Sequence, residues 1–140
     1  MSRLVGIVVV VIVLAAAGWV YQTVVNPDHR GQVIFTTTSQ SANDNCKITN
    51  RVDTIKAGSD VYLTVMWSRT MSSSDVVVEE DFKDGTSMGT ETWSPSHYAG
   101  YDCFTATDNL GDSFTEPGKY EIKLTAGSDV VADGTLTVTP

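Results

Sequence analysis

The chain has 140 residues, nine Lys or Arg against 17 Asp or Glu, and a formal net charge of −8 at pH 7. Every acidic residue and eight of the basic ones follow Asn26, so that part alone carries −9. Such a surface excludes nucleic acid and anionic headgroups as partners and suits a basic protein surface.

Residues 4–25, "LVGIVVVVIVLAAAGWVYQTVV", hold no charge. As a helix they would rise about 33 Å, enough to cross a hydrocarbon core of about 30 Å. The run therefore predicts one transmembrane helix, with residues 1–3 in the cytoplasm, residues 26–31 as a juxtamembrane linker and residues 32–140 as an extracytoplasmic domain. Arg3 supports that orientation through the positive-inside bias. Trp19 and Tyr21 suit the headgroup belt. Gly6, Ala15, Ala16, Ala17 and Gly18 are small enough to let another helix approach closely in lipid. Two other readings share the segment. Arg3, the apolar run and Ala15-Ala16-Ala17 also follow the plan of a cleaved signal peptide. Arg3-Leu4-Val5-Gly6 loosely follows the prepilin pattern, although Val11 stands where a mature pilin carries Glu.

From residue 31 onward there is no internal repeat and no long helical periodicity, only short alternating runs between turn signals, the pattern of an all-β sandwich. "QVIFTTT" opens the domain. In "DVYLTVMW", Val61, Leu63, Val65 and Trp67 share one face while Tyr62, Thr64 and Met66 share the other, which predicts a central strand. "DVVVEEDF" follows, and Asp84-Gly85 after it is the strongest hairpin cue in the chain. "TSMGTETW" and "GYDCFTAT" come next. "KYEIKLTAG" sends Tyr120, Ile122 and Leu124 inward, and "GTLTVTP" does the same with Leu136 and Val138. About seven strands are expected.

Cys46 and Cys103 are the two cysteines, and an even pair in a small exported β domain predicts a disulfide. With no Cys-x-x-Cys, the bond is expected to be structural.

"IKAGSDVYLTVMW", "VVVEEDFKDGT" and "EPGKYEIKLTAGSDVVADGTLTV", taken in order, resemble the bacterial and archaeal immunoglobulin-like domains of cell surfaces. The likeness covers about residues 32–139. It implies an antiparallel immunoglobulin-like β-sandwich, Tyr120 as the tyrosine of the corner at the sixth strand, and Cys103 one strand earlier. The disulfide would then tie the segment between the first two strands to the fifth. No active site is implied, because such domains serve as spacers, adhesin modules, sensor ectodomains and accessory subunits.

Motifs for chemistry are sparse. His29 and His97 lie far apart, and "CFTATDNLGD" lacks the His and Met that a copper site after Cys103 would need. No Gly-x-Ser-x-Gly occurs. Asp108, Asp112 and Glu116 are weak calcium candidates by oxygen chemistry, against a solvated loop. Glu79-Glu80-Asp81 with Asp84 reads as outward charge on a strand followed by its turn, against attraction of a cation or basic partner. The expectation is a non-catalytic protein without cofactor. It would be an accessory subunit of a larger membrane complex, touching other subunits through the helix and other proteins through the sandwich. The alternatives are a surface binding, adhesion or sensor module and, third, a pilus or filament subunit.

Overall fold

The computed structural model describes residues 19–22 (backbone only), 30–40 and 46–140. Ten strands are present among them: β1 (Trp19–Gln22), β2 (Gln32–Thr36), β3 (Arg51–Val52), β4 (Thr54–Lys56), β5 (Tyr62–Met66), β6 (Val77–Lys83), β7 (Thr86–Thr92), β8 (Cys103–Ala106), β9 (Gly118–Ala126) and β10 (Asp129–Thr139). The all-β expectation holds. β1, β3 and β4 are additional to the expected strands.

Hydrogen bonding runs in the order β1-β8-β5-β2-β10-β9-β6-β7, with β3 on β2 and β4 on β10. The two halves of this path meet at one registered parallel pair, Asp133 with Gln32. Gly134 makes the approach possible, because a Cβ there would lie 2.0 Å from the Val33 carbonyl oxygen. The chain also changes halves at Asp53: β3 pairs with β2, β4 pairs in parallel with β10, and the Asp53 carbonyl accepts from the Thr137 amide at 2.8 Å.

The two halves of the path enclose a main core. Trp93, just after β7, meets Phe104 of β8 at 5.0 Å between ring centres and Trp67 at 5.6 Å. On the other side Phe114 bridges Phe35 of β2 and Tyr120 of β9. The predicted inward rows all contribute: Val61, Leu63, Val65 and Trp67; Tyr120, Ile122 and Leu124; Leu136 and Val138. The Asp84-Gly85 hairpin is also present, with both residues at positive φ (51° and 81°), as a two-residue turn matched to twisted strands requires.

One expectation is corrected at its end. Trp19–Gln22, placed in the transmembrane helix, is an antiparallel strand on β8, from Trp19 opposite Ala106 to Gln22 opposite Cys103. Val, Trp and Tyr are good strand formers, and here the backbone finds a ready edge. Residues 4–18 and 23–25, with Gly6, Ala15, Ala16, Ala17 and Gly18, lie outside the described residues. Among the described residues no helix is long and apolar enough to cross a membrane.

Candidate functional site

The acidic run on β6 does not face outward as expected. Side chains alternate along a strand, so three consecutive acids cannot share a face. Val77 sets the phase, and Glu79 and Asp81 follow it inward, each only 2% exposed. Their registered partners on β9 are Leu124 and Ile122, and Glu91 stands opposite Glu79 on β7. Glu80 points the other way and accepts from the Ser87 hydroxyl at 2.8 Å.

Trp93 Nε1 donates to Glu79 Oε2 at 2.6 Å, while Glu79 Oε1 and both Asp81 oxygens meet no N–H or hydroxyl donor. Two ionised carboxylates so placed would be desolvated and mutually repelled; one proton between them removes both problems. Burial, then the neighbouring Asp81 charge, raises the Glu79 pKa well above the ordinary range. Burial pushes Asp81 up to about 6, opposed by a hydrogen bond from Glu79. Burial and the neighbouring carboxylate thus both favour the protonated form of Glu79. The pair can hold one proton, but its burial keeps it from touching a substrate.

The expected disulfide joins Cys46, in the segment between β2 and β3, to Cys103 at the start of β8. Cys46 is 3% exposed and Cys103 fully buried. Ile34, Met66 and Ile48 pack with them in a second apolar cluster, separate from the main core. Successive residues of β2, β5 and β8 divide between the clusters, as alternation demands: Val33 and Phe35 join the main core, Ile34 the disulfide.

Tyr120 donates its hydroxyl to the Glu116 carbonyl, four residues upstream, at 2.8 Å. Tyr98 makes a similar bond to the Asp75 carbonyl, a tie that its sequence context did not single out. Tyr101 is half-buried just before β8.

The calcium candidates are not assembled. Among the described residues no three His, Cys, Asp or Glu side chains are grouped to hold a metal ion. Asp112 is exposed, and Glu116 pairs with Lys83 at 3.3 Å. Their loop is organised instead by Asn109, whose Oδ1 accepts from the amides of Val61 (3.0 Å) and Gly111 (2.9 Å) and whose Nδ2 donates to Asp60. An Asn before Leu-Gly is the turn signal that marks it. His97 ends a short 3₁₀ turn against Trp93 and Phe104, and burial lowers its pKa.

Among the described residues, β7, the last strand of the path, pairs only with β6. Thr86, Ser87, Thr90 and Thr92 are exposed along it, whereas Met88 turns inward. It contains neither Pro nor Lys, two residues by which edges are commonly protected. No known protein family matches the chain, and no curated protein matches it.

Proposed function

We propose that the chain is a non-catalytic, extracytoplasmic protein with an immunoglobulin-like β-sandwich, and that it acts by binding another protein along strand β7. The edge carries this reading: seven residues of strand with one side unpaired among the described residues, and a Ser/Thr-rich surface. An extended segment of a partner can add to such an edge through main-chain hydrogen bonds. Glu80, Asp84 and Glu91 lie on or beside it, which favours a partner of basic character.

Three features support the immunoglobulin-like topology. β5 lies beside β8 in one half of the path, whereas β6, β9 and β10 are neighbours in the other, so successive strands cross between halves. β4 runs parallel to the last strand. Tyr120 occupies the corner at the entry to β9. The buried disulfide supports an oxidising compartment. As an accessory subunit of a membrane complex, the protein would offer the same edge to a neighbouring subunit.

The test is hydrogen exchange of the protein alone and bound to whatever co-purifies with it from extracytoplasmic extracts. Protection confined to residues 86–92 and their turn is expected. Protection elsewhere with none on β7 would sink the assignment.

A further inference from the structure

We infer that residues 89–92 of β7, with Trp93 after them, form a proton-operated flap beside the Glu79 and Asp81 carboxylates, closed while the pair holds a proton and lifted from β6 once both are ionised. As control over partner binding this rests on the β7 reading; as a movement of the strand it stands on the packing alone. Glu79 and Asp81 are each 2% exposed, and three of their four oxygens meet no N–H or hydroxyl donor. The fourth, Glu79 Oε2, is held by the Trp93 indole at 2.6 Å. That bond favours an ionised Glu79, but burial and the Asp81 charge outweigh it. Two ionised carboxylates on one buried strand face are costly to desolvate and repel each other.

No described element packed on the pair supplies a cation. β9 sets Leu124 and Ile122 opposite the acids, while Glu121 and Lys123 alternate to the other face. On β7, Met88 is apolar, and Glu91, opposite Glu79, adds a third negative charge. Beyond Trp93 lie the rings of Trp67, Phe104 and His97. Burial lowers the His97 pKa, so this imidazole is neutral above about pH 7 whether the flap is closed or open.

The strand beside the acids is also the one most easily moved. β6 is held on its far side by seven registered pairs with β9. The β6–β7 ladder, by contrast, is broken between Asp81 and Phe82, whose partners are Gly89 and Ser87, with Met88 left over. Gly89 sits at this bulge with φ 137°, a conformation that favours glycine. A bulge bends its strand, and this one separates the hairpin turn from residues 89–92. At their other end the Trp93 amide donates to the Val77 carbonyl at 2.8 Å and the indole to Glu79, so Trp93 is the catch. Lifting residues 89–93 draws the indole off Glu79 and admits water to both carboxylates. While the closed flap keeps the Glu79 proton and the open one releases it, the open fraction rises about tenfold per pH unit. Strand addition along β7, which needs the closed ladder as its template, is therefore favoured at the lower pH.

The experiment is amide hydrogen exchange of the intact purified chain, read by NMR above about pH 7, with each rate divided by that of an unstructured peptide of the same sequence at the same pH. Residues 89–93 should be at least about tenfold less protected than β9 and β10, and their protection should fall about tenfold per pH unit. Glu79→Gln, which keeps an oxygen for Trp93 and cannot ionise, should abolish that slope. Should it fail to fold, Asp81→Asn takes its place: with one acid gone, the slope should level off at a lower pH than in the wild type. The same slope in wild type and Glu79→Gln, the same levelling in wild type and Asp81→Asn, or residues 89–93 opening only together with β9, would overturn the flap. Each of those results leaves binding along β7 standing, because that is read from partner protection. Titration as expected, with a partner protecting another surface, would keep the flap and remove the binding.

Discussion

Glu79 and Asp81 make the fold sensitive to protons. Their pKa values are raised on folding, from the ordinary 4.5 and 3.8 to well above it and to about 6. Between those limits the pair binds more protons in the folded chain than in the unfolded one, so its contribution to stability falls as pH rises, opposed by His97, whose pKa burial lowers from 6.5. Denaturant titrations should therefore show greater stability near pH 4.5 than at pH 7, by about 2 kcal/mol. Asp75 acts in the opposite sense: its bond to Arg69 lowers its pKa, so its contribution is lost only as pH falls through and below the ordinary 3.8, outside that window. Glu79→Gln keeps an oxygen for Trp93 and a donor for Asp81, so it should flatten the pH dependence without unfolding the protein. An unchanged slope would mean that the pair does not share a proton.

Hydroxyl deletions separate the tyrosines at the same scale. Tyr120→Phe and Tyr98→Phe each remove a bond to a backbone carbonyl. Each should cost about 1 kcal/mol in equilibrium unfolding. Tyr101→Phe, made at the half-buried position before β8, should cost less. A reversed ranking would contradict the corner assignment.

Among the elements, phase was legible wherever one face is apolar. Val61, Leu63, Val65 and Trp67 leave a single inward choice, and so do Tyr120, Ile122 and Leu124. Glu79-Glu80-Asp81 offers no such cue, because every position is acidic. Its phase is fixed by Val77 and by β9, more than forty residues away, which no local reading contains. β1 was missed for another reason: an uncharged β-branched run satisfies helix and strand patterns alike, and pairing with β8 decides between them. β3 and β4 are too short to carry a period.

Two element-level tests follow. Reduction of Cys46–Cys103 opens a loop with a sequence separation of 57 and should lower the melting temperature. The chain-entropy estimate for a loop of that size is about 4 kcal/mol. An unchanged melting curve after reduction would contradict the bracing role. Gly134→Ala should be among the most damaging single-methyl additions, since the new Cβ collides with the Val33 carbonyl where the two halves meet. Wild-type stability in that variant would show that β2 and β10 are not held this closely.

At the scale of the whole molecule, the proposal of an exported module that acts by contact with another protein rests on acidic charge, a buried disulfide and an all-β fold. The disulfide pair could be read from the sequence, whereas Tyr120 was singled out by the resemblance and its bond to the Glu116 carbonyl is seen only in the structure. The organising role of Asn109 and the inward acids could not, because both depend on strands distant in the chain. The β7 edge was visible as a strand, but its position at the end of the path emerges only from the pairing order. That edge bears the functional claim. The most direct measurement compares binding of the wild type and the double variant Thr90→Lys, Thr92→Lys to the isolated extracytoplasmic partner. Both substitutions fall on exposed positions, where two lysines protect an edge from strand addition and repel a basic partner. A loss of affinity of about tenfold or more at unchanged melting temperature is predicted. Equal affinity for the two proteins would contradict the account.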